Sequence, residues 1–184
     1  DLTKFDFELP TEKIAQFPKT DRASSKLLVV RDNEPFYTSK FLGMMNYLRP
    51  NDVVILNDTK VIPARLMTKK KTGGKVEVFL ERIVNTLRAR VRLGGNTKNL
   101  IGKNLIVGAE TELAVVSKEG NFFILETLSG SILETFLQFG QVPLPPYINR
   151  EPIKSDEKFY QTVYGTKLGA VAAPTACLHV TDKF

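Results

Sequence analysis

The spacing of apolar residues alternates between strand-like and helix-like patterns in the first third of the chain. Short apolar runs at 26–30 and 52–56 predict buried strands, whereas apolar residues at 41–48 recur at helical spacing before a proline. Residues 11–17 predict a short helix that also ends at a proline. The order of strand, helix and strand indicates an α/β layer.

A two-residue period replaces this pattern in the middle of the chain. Apolar side chains alternate with charged ones at 75–81 and 87–93, and glycine pairs predict turns in front of the first run and behind the second. Further short strands are predicted at 105–107, 112–116 and 121–125. Short strands this close together are typical of a small antiparallel barrel or sandwich.

A helix is predicted directly after these strands. Ser131 and Glu134 have the spacing of a capping box, which marks a helix start. Gly140 is expected to end the helix. Four side chains form its apolar face: Ile132, Leu133, Phe136 and Leu137.

The last part of the chain begins with a proline-rich run at 143–147. We interpret this run as a stiff connector, and a polyproline ligand is the alternative interpretation. A helix is predicted over 156–164, ended by Gly165. The small residues at 169–176 would let the backbone approach a neighbouring chain or ligand closely.

Charge is distributed unevenly along the 184 residues. The net charge is +6, but ten basic and only two acidic residues lie between Thr68 and Lys103, giving this segment +8 and the remainder −2. An anionic partner for one segment is therefore expected.

Composition excludes several classes of protein. One Cys and one His can form neither an internal disulfide nor a zinc cage, so no metal site is predicted. No apolar run is long enough to span a membrane, and the charged start does not resemble a secretory signal, so we expect a cytoplasmic protein and no membrane partner. Because the sequence lacks an initiator Met and stops directly after a distinctive motif, we also expect a fragment.

A polar cluster follows the predicted strand at 52–56. Ligands in open α/β sheets bind beyond the carboxyl ends of strands, so this cluster is a candidate site for a polar ligand. The alternative is an Asx-turn, in which the side chains bond to local backbone. The candidate residues are Asn57, Asp58, Thr59, Lys60 and Arg65.

A strip of basic residues is the candidate contact for nucleic acid. Three arginines alternate along one predicted strand, and four lysines precede them. An ordinary solvated strand face is the alternative, because no base-reading motif accompanies the strip. Its members are Lys69, Lys70, Lys71, Lys75, Arg88, Arg90 and Arg92.

His179 is the only histidine and the candidate for proton transfer. A structural hydrogen-bonding role is the alternative. Cys177 lies two residues away, but no positive group beside it would activate its thiol.

Several motifs together resemble the S-adenosylmethionine:tRNA ribosyltransferase-isomerase family of queuosine biosynthesis. The resemblance extends from Phe5 to Thr181 and therefore covers nearly the whole chain. It rests on eight segments: FDFELP at 5–10, IAQ at 14–16, LRP at 48–50, NDTKVIPARL at 57–66, GGKVEV at 73–78, VPLPPYI at 142–148, YQTVY at 160–164 and GAVAAPTACLH at 169–179.

The resemblance implies a reaction. The ribosyl part of S-adenosylmethionine is transferred to 7-aminomethyl-7-deazaguanine at the tRNA wobble position and isomerised, which yields epoxyqueuosine, adenine and methionine. S-adenosylmethionine is then a consumed substrate, and no cofactor or metal is implied. The partners would be tRNA and S-adenosylmethionine, and we expect a monomer.

The resemblance also implies a mixed α/β fold, in which a small antiparallel β-barrel is inserted into a large α/β domain with a curved mixed sheet. The large domain would be incomplete here. We predict its two parts at 1–66 and 142–184, and the barrel at 67–141. The sequence departs from the family pattern in having Cys177 for Gly, Val180 for Phe and Lys60 for Arg. A side chain at a glycine position hinders close approach, and Lys lacks the planar fork of Arg.

Our leading hypothesis places the polar cluster and the final motif around one cleft. His179 would transfer the proton, with Asp58 as second choice, and Arg65 would hold an anionic group. The other proposed substrate-binding residues are Asn57, Thr59, Lys60, Pro174, Thr175 and Ala176. The rival hypotheses are a non-catalytic tRNA- or RNA-binding module and a basic segment that only increases solubility.

Overall fold

The computed structural model describes all residues, Asp1–Phe184. Ten strands and two α-helices are joined by loops and short 3₁₀ turns. The helices are α1 (Ile132–Phe139) and α2 (Asp156–Phe159). The strands are β1 (Lys26–Val29), β2 (Tyr37–Lys40), β3 (Thr59–Val61), β4 (Arg65–Lys70), β5 (Lys75–Ile83), β6 (Arg88–Gly95), β7 (Asn104–Val107), β8 (Thr111–Glu119), β9 (Phe122–Thr127) and β10 (Lys167–Ala170).

Six strands close into an antiparallel barrel in the order β4-β5-β6-β9-β8-β7, which confirms the predicted barrel. The alternation in the sequence explains its interior. Val76 and Val78 of β5 face Ala89 and Val91 of β6 across the same core, while the intervening polar side chains face outward. Register shifts in the β5–β6 and β8–β9 pairs mark bulges, which help a sheet to curve. The core therefore lies inside the barrel.

Helix α1 packs against the barrel and begins as predicted. The Glu134 carboxylate accepts a 3.1 Å hydrogen bond from the Ser131 backbone N–H, and both Ile132 and Phe136 are fully buried in the barrel core. Gly140 ends the helix without a positive φ. Its lack of a side chain matters because a Cβ there would lie only 2.0 Å from the carbonyl oxygen of Pro63.

The flanking parts of the chain contain two separate two-stranded sheets, β1–β2 antiparallel and β3–β10 parallel. The mixed α/β class is confirmed, although these four strands do not join into one curved sheet. The predicted helices are shorter than expected: residues 11–17 keep only the 3₁₀ turn Thr11–Lys13, and 156–164 keeps only α2. The residues at 41–48, whose apolar members have helical spacing, form the 3₁₀ helix Phe41–Tyr47. None of the helices has the length and apolar character needed to cross a bilayer.

The strand predicted at 52–56 does not form, and this prediction is wrong. Val53 and Ile55 are 86% and 90% exposed, and no backbone hydrogen bond joins residues 53–56 to another segment. A strand needs a neighbouring strand to pair with, and the apolar pattern alone does not supply one. Strand β3 forms a few residues later, where it hydrogen-bonds to β10.

Candidate functional site

A cleft of about 370 Å³ lies between the N-terminal segment, the proline-rich connector and the last 3₁₀ helix, Thr175–His179. Its volume is within the range of small-molecule sites. Two of the predicted site residues, Thr175 and His179, line the cleft. Four aromatic side chains also contribute to its wall: Phe17, Tyr147, Phe159 and Tyr160.

Gln16 fastens the N-terminal side of the cleft to the connector. Its amide nitrogen donates to the Tyr147 carbonyl at 3.2 Å, and its amide oxygen accepts from the Asn149 backbone N–H at 2.6 Å. Arg150 adds a third link, donating from Nε to the Gln16 carbonyl at 2.7 Å. These bonds place Phe17 and Tyr147 on neighbouring walls of the cleft.

Arg150 also forms a bidentate ion pair with Asp156 at the start of α2. The two Nη–Oδ distances are 2.7 and 2.8 Å, and Asp156 is only 2% exposed. The guanidinium lowers the pKa of Asp156, and the carboxylate in turn raises the pKa of Arg150. The Arg150 guanidinium stacks over the Phe17 ring at 4.5 Å. Arg150 therefore shapes the cleft from within a satisfied network.

Arg22 connects three backbone segments around the cleft. Its guanidinium donates to the carbonyls of Lys158 at 2.5 Å, Gln161 at 2.7 Å and Leu178 at 3.0 Å. Burial lowers the pKa of Arg22, but a guanidinium stays protonated at physiological pH. Because Leu178 precedes His179, these bonds fix the position of the last 3₁₀ helix relative to α2.

His179 is half-buried at the cleft wall. Its ring packs at a tilt against Phe41, with the centroids 5.4 Å apart, and Phe41 in turn packs against Phe184. Neither imidazole nitrogen hydrogen-bonds to another residue of the chain. The structural hydrogen-bonding role considered from the sequence is therefore not what the structure shows. Both ring nitrogens therefore lack a partner within the chain and can hydrogen-bond to a ligand.

The polar cluster does not share this cleft, which corrects the expected single-cleft arrangement. Asn57 forms the Asx-turn considered as the alternative, since its Oδ1 accepts from both the backbone N–H and the hydroxyl of Thr59, at 3.0 and 2.6 Å. Asp58 pairs with Lys167 at 2.8 Å, which raises the pKa of that lysine. Lys60 is exposed. None of the four lines the cleft.

Arg65 is also occupied elsewhere. Its guanidinium pairs with Glu77 on the neighbouring strand and, at 3.3 Å, with Glu151. Pro174 is half-buried and Ala176 is exposed, but neither lines the cleft although Thr175 between them does. The substrate-binding roles given to these residues stay predictions.

Gln161 joins the polar cluster to the segment after α2. Its side-chain amide accepts from the Val61 N–H at 2.9 Å and donates to the Val61 carbonyl at 2.8 Å. Gln16 and Gln161 both lie in segments that carried the family resemblance, so that signal marked their positions. The role of Arg22, and the bond from Arg150 to the Gln16 carbonyl, had no signal in the sequence, because bonds to distant backbone carbonyls leave no local pattern.

Cys177 does not line the cleft, although Thr175, Leu178 and His179 of the same 3₁₀ helix do. It neighbours the hydroxyl of Tyr164, and burial, together with this thiol, raises the pKa of Tyr164 to about 12. The departure from the family glycine therefore falls next to a tyrosine rather than in the cleft.

The basic strip on the barrel divides into two groups. On β6, Arg88 pairs with Glu126 at 2.5 Å, and Arg90 lies 3.8 Å from Glu81. Arg90 and Arg92 both stack on Phe122 of β9, at 4.1 and 5.2 Å from its ring centroid. Lys70 and Lys71 lie instead in a separate depression near the β4–β5 turn. Lys69 and Lys75 are directly opposite each other in the register of that β-hairpin.

Comparisons with known proteins agree on one family. The family model described as "Queuosine biosynthesis protein" matches residues 2–184. The S-adenosylmethionine:tRNA ribosyltransferase-isomerase of Coxiella burnetii (strain Dugway 5J108-111) is 42% identical over 182 residues, covering 97% of this chain and 53% of that protein. The enzyme of the same name from Nitrosomonas europaea is 44% identical over 180 residues, covering 97% and 51%.

The chain is also similar to the solved structure of S-adenosylmethionine tRNA ribosyltransferase from Thermotoga maritima. The matched region covers 90% of this chain and 56% of the Thermotoga chain. Its sequence identity is 25% and its TM-score 0.38. The chain spans about half the length of the curated relatives it matches.

Proposed function

Since the chain belongs to the queuosine biosynthesis protein family, we propose that it carries out the reaction named for its relatives, with tRNA and S-adenosylmethionine as substrates. In this proposal the ribosyl part of S-adenosylmethionine is moved to 7-aminomethyl-7-deazaguanine at the tRNA wobble position and isomerised. The products are epoxyqueuosine in tRNA, adenine and methionine. The identity of over 40% to proteins of this name, along almost the whole chain, supports the proposal.

We place S-adenosylmethionine in the cleft beside His179. The main observation in support is that the His179 imidazole has no hydrogen-bond partner in the chain and lines a cleft of about 370 Å³ together with several aromatic side chains. Phe17 and Phe159 already carry stacked arginines, so the aromatic faces left for the substrate are those of Tyr147 and Tyr160. Aromatic faces attract cations such as a sulfonium and also stack with adenine. Because the Arg150–Asp156 pair is satisfied internally, it would define the shape of the cleft without exchanging protons.

The proposed chemistry begins with the loss of a proton from the ribosyl carbon attached to sulfur, which the positive sulfonium acidifies. His179 would accept this proton. The electron pair left on carbon expels the ring oxygen from the neighbouring carbon, and adenine departs as that oxygen becomes a carbonyl. The amine of the deazaguanine then adds to the resulting vinyl sulfonium and gives up a proton. The carbanion restored beside sulfur closes the carbocycle on the carbonyl carbon, and the carbonyl oxygen displaces methionine as the epoxide forms. These steps consume S-adenosylmethionine and call for no further cofactor.

Asp58 is the weaker candidate for the base. Its carboxylate is engaged by Lys167 at 2.8 Å and lies outside the cleft lining. Arg65 would have to exchange its Glu77 or Glu151 partner for a substrate carboxylate or phosphate. Both roles therefore carry less support than that of His179.

A product assay tests the proposed function. The intact protein is incubated with S-adenosylmethionine and tRNA carrying 7-aminomethyl-7-deazaguanine, and the digested tRNA is analysed by nucleoside mass spectrometry. Epoxyqueuosine should form with one adenine released per modified tRNA, and no product should form when guanine occupies the wobble position. Absence of both products under conditions where both substrates bind would overturn the proposal.

A non-catalytic RNA-binding module is the second candidate. Its supporting observation is the group of basic side chains on the barrel, which is well separated in sequence from the cleft. Calorimetric titration distinguishes the two candidates. Binding of tRNA without any heat from S-adenosylmethionine favours the module, whereas binding of both favours the enzyme.

A further inference from the structure

A second depression, of about 330 Å³, lies at one end of the barrel between the β4–β5 turn and the loop that leads into β7. Its lining contains a single apolar residue, Leu100, and no carboxylate. Four lysines surround it, two from each side: Lys70, Lys71, Lys98 and Lys103. Lys98 and Lys103 were not among the sequence-predicted contacts.

Both walls of this depression are held in place by the backbone. On one side Leu100 is 2% exposed and anchors the loop in the barrel core, while the Gly102 N–H donates to the Val115 carbonyl at 2.8 Å. On the other side Lys70 and the Gly73–Gly74 turn exchange two hydrogen bonds of 2.8 Å. The lysines are therefore carried by ordered loops, which lowers the entropic cost of binding a ligand.

Positive charge in the depression is largely uncompensated. Only Lys71 has an acidic partner, Glu112, at 3.0 Å. Hydrogen bonds from Asn104 and then Lys71 lower the pKa of Glu112, so this carboxylate stays ionised. Lys70, Lys98 and Lys103 form no ion pair. By contrast, two of the three arginines on β6 already have carboxylate partners.

We propose that this lysine depression binds phosphate groups, and that it holds phosphodiesters of the RNA backbone during tRNA binding. The choice of RNA rests on the proposed function. An ammonium group is a compact charge that contacts phosphate without demanding one geometry, which suits recognition of a backbone rather than of bases. The depression offers no aromatic face on which a base could stack, so its ligand is the phosphate and not the nucleobase.

The variant Lys98→Ala/Lys103→Ala tests this proposal in the full chain, because both side chains are exposed and their removal should leave the fold intact. The matched control is Lys26→Ala/Lys40→Ala, which changes the net charge equally on the exposed β1–β2 hairpin. Binding of a tRNA transcript is measured from 50 to 200 mM salt, and thermal unfolding is measured for each variant.

Each lost phosphate contact lowers the salt slope by about 0.7–0.9, so the double variant should lose roughly 1.5. Over a fourfold change in salt, wild-type affinity should therefore fall about eightfold more than that of the variant. The control should keep the wild-type slope. An unchanged slope in a folded variant would exclude the RNA backbone as the ligand.

A second titration uses inorganic tripolyphosphate as the probe. If the lysine variant loses tripolyphosphate binding while its tRNA slope is unchanged, the depression is a phosphate site for a small free ligand. If neither ligand responds to the variant, the phosphate site is refuted. Neither measurement needs turnover, so failure of the proposed reaction would be seen separately in the product assay.

Discussion

Arg150 holds the buried carboxylate of Asp156 through two hydrogen bonds of 2.7 and 2.8 Å, and so joins the loop after the connector to the start of α2. Asp156 also accepts the Ile153 backbone N–H at 2.8 Å. Both residues line the cleft, and the guanidinium stacks on Phe17. The positions of the loop, of the start of α2 and of the guanidinium over Phe17 therefore all depend on this one ion pair.

Asp156→Ala should destabilise the protein strongly. Removing one member of a buried ion pair leaves the other charge unpaired, which costs about 3–5 kcal/mol in the free energy of unfolding. Urea denaturation measures this change. Glu157→Ala, at the exposed next position of α2, is the matched control and should cost about 0.5 kcal/mol or less. Equal costs for the two variants would contradict a structural role for the pair.

The same pair predicts a dependence of stability on acid pH. Arg150 lowers the pKa of Asp156 in the folded state, so the unfolded chain binds the proton more readily. The stabilisation is present above the ordinary aspartate pKa of about 3.9 and is lost as pH falls towards the lower, folded value. The unfolding temperature should fall more steeply between pH 7 and pH 3 for the wild type than for Asp156→Asn. Parallel curves would refute this assignment.

Arg22 is predicted to be a positioning residue for His179. Arg22→Lys keeps the charge but cannot bond three carbonyls in fixed directions, so the last 3₁₀ helix should shift. Small displacements of catalytic groups cost up to about 100-fold in rate. Turnover should fall roughly 10- to 100-fold with little change in tRNA affinity, whereas Lys13→Ala should match wild type. An equal loss of tRNA binding and turnover would indicate general unfolding instead.

The two ends of the β6 arginine row should contribute differently to tRNA binding. Arg92 has no carboxylate partner, while Arg88 is paired with Glu126 at 2.5 Å. Arg92→Ala should therefore lower the salt slope of tRNA binding by about 0.7–0.9, and Arg88→Ala should lower it less. Fluorescence anisotropy across a salt series measures both slopes. If neither slope changes, this strand only increases solubility.

The barrel was predictable because its signal is local and repeated. The alternating apolar side chains at 75–81 and 87–93 form a core as soon as these strands pair with their neighbours in the barrel. All six strands lie within one stretch of the chain, so these neighbours are close in sequence. The segment at 52–56 has an equally apolar pattern, yet it stays exposed because no strand pairs with it. Sequence pattern predicts the tendency to be buried, but burial also requires a partner.

The candidate site was predictable only in part. His179 and Thr175 lie in the cleft as expected, because chemistry and small-residue context singled out that segment. The polar cluster was misplaced, since Asn57 is taken up by a local turn with Thr59 and Asp58 by a distant lysine, Lys167. Arg22 was not found at all, because its partners are backbone carbonyls more than a hundred residues away.

The most direct test of this account is the single-turnover rate of adenine release by His179→Ala, measured in the intact protein with S-adenosylmethionine and the deazaguanine-containing tRNA. Loss of a general base typically lowers the rate about 10²–10⁴-fold. We predict a loss in this range, with the affinity for tRNA and the unfolding temperature close to wild type. A loss smaller than about threefold would contradict the assignment of His179 as the group that takes the proton.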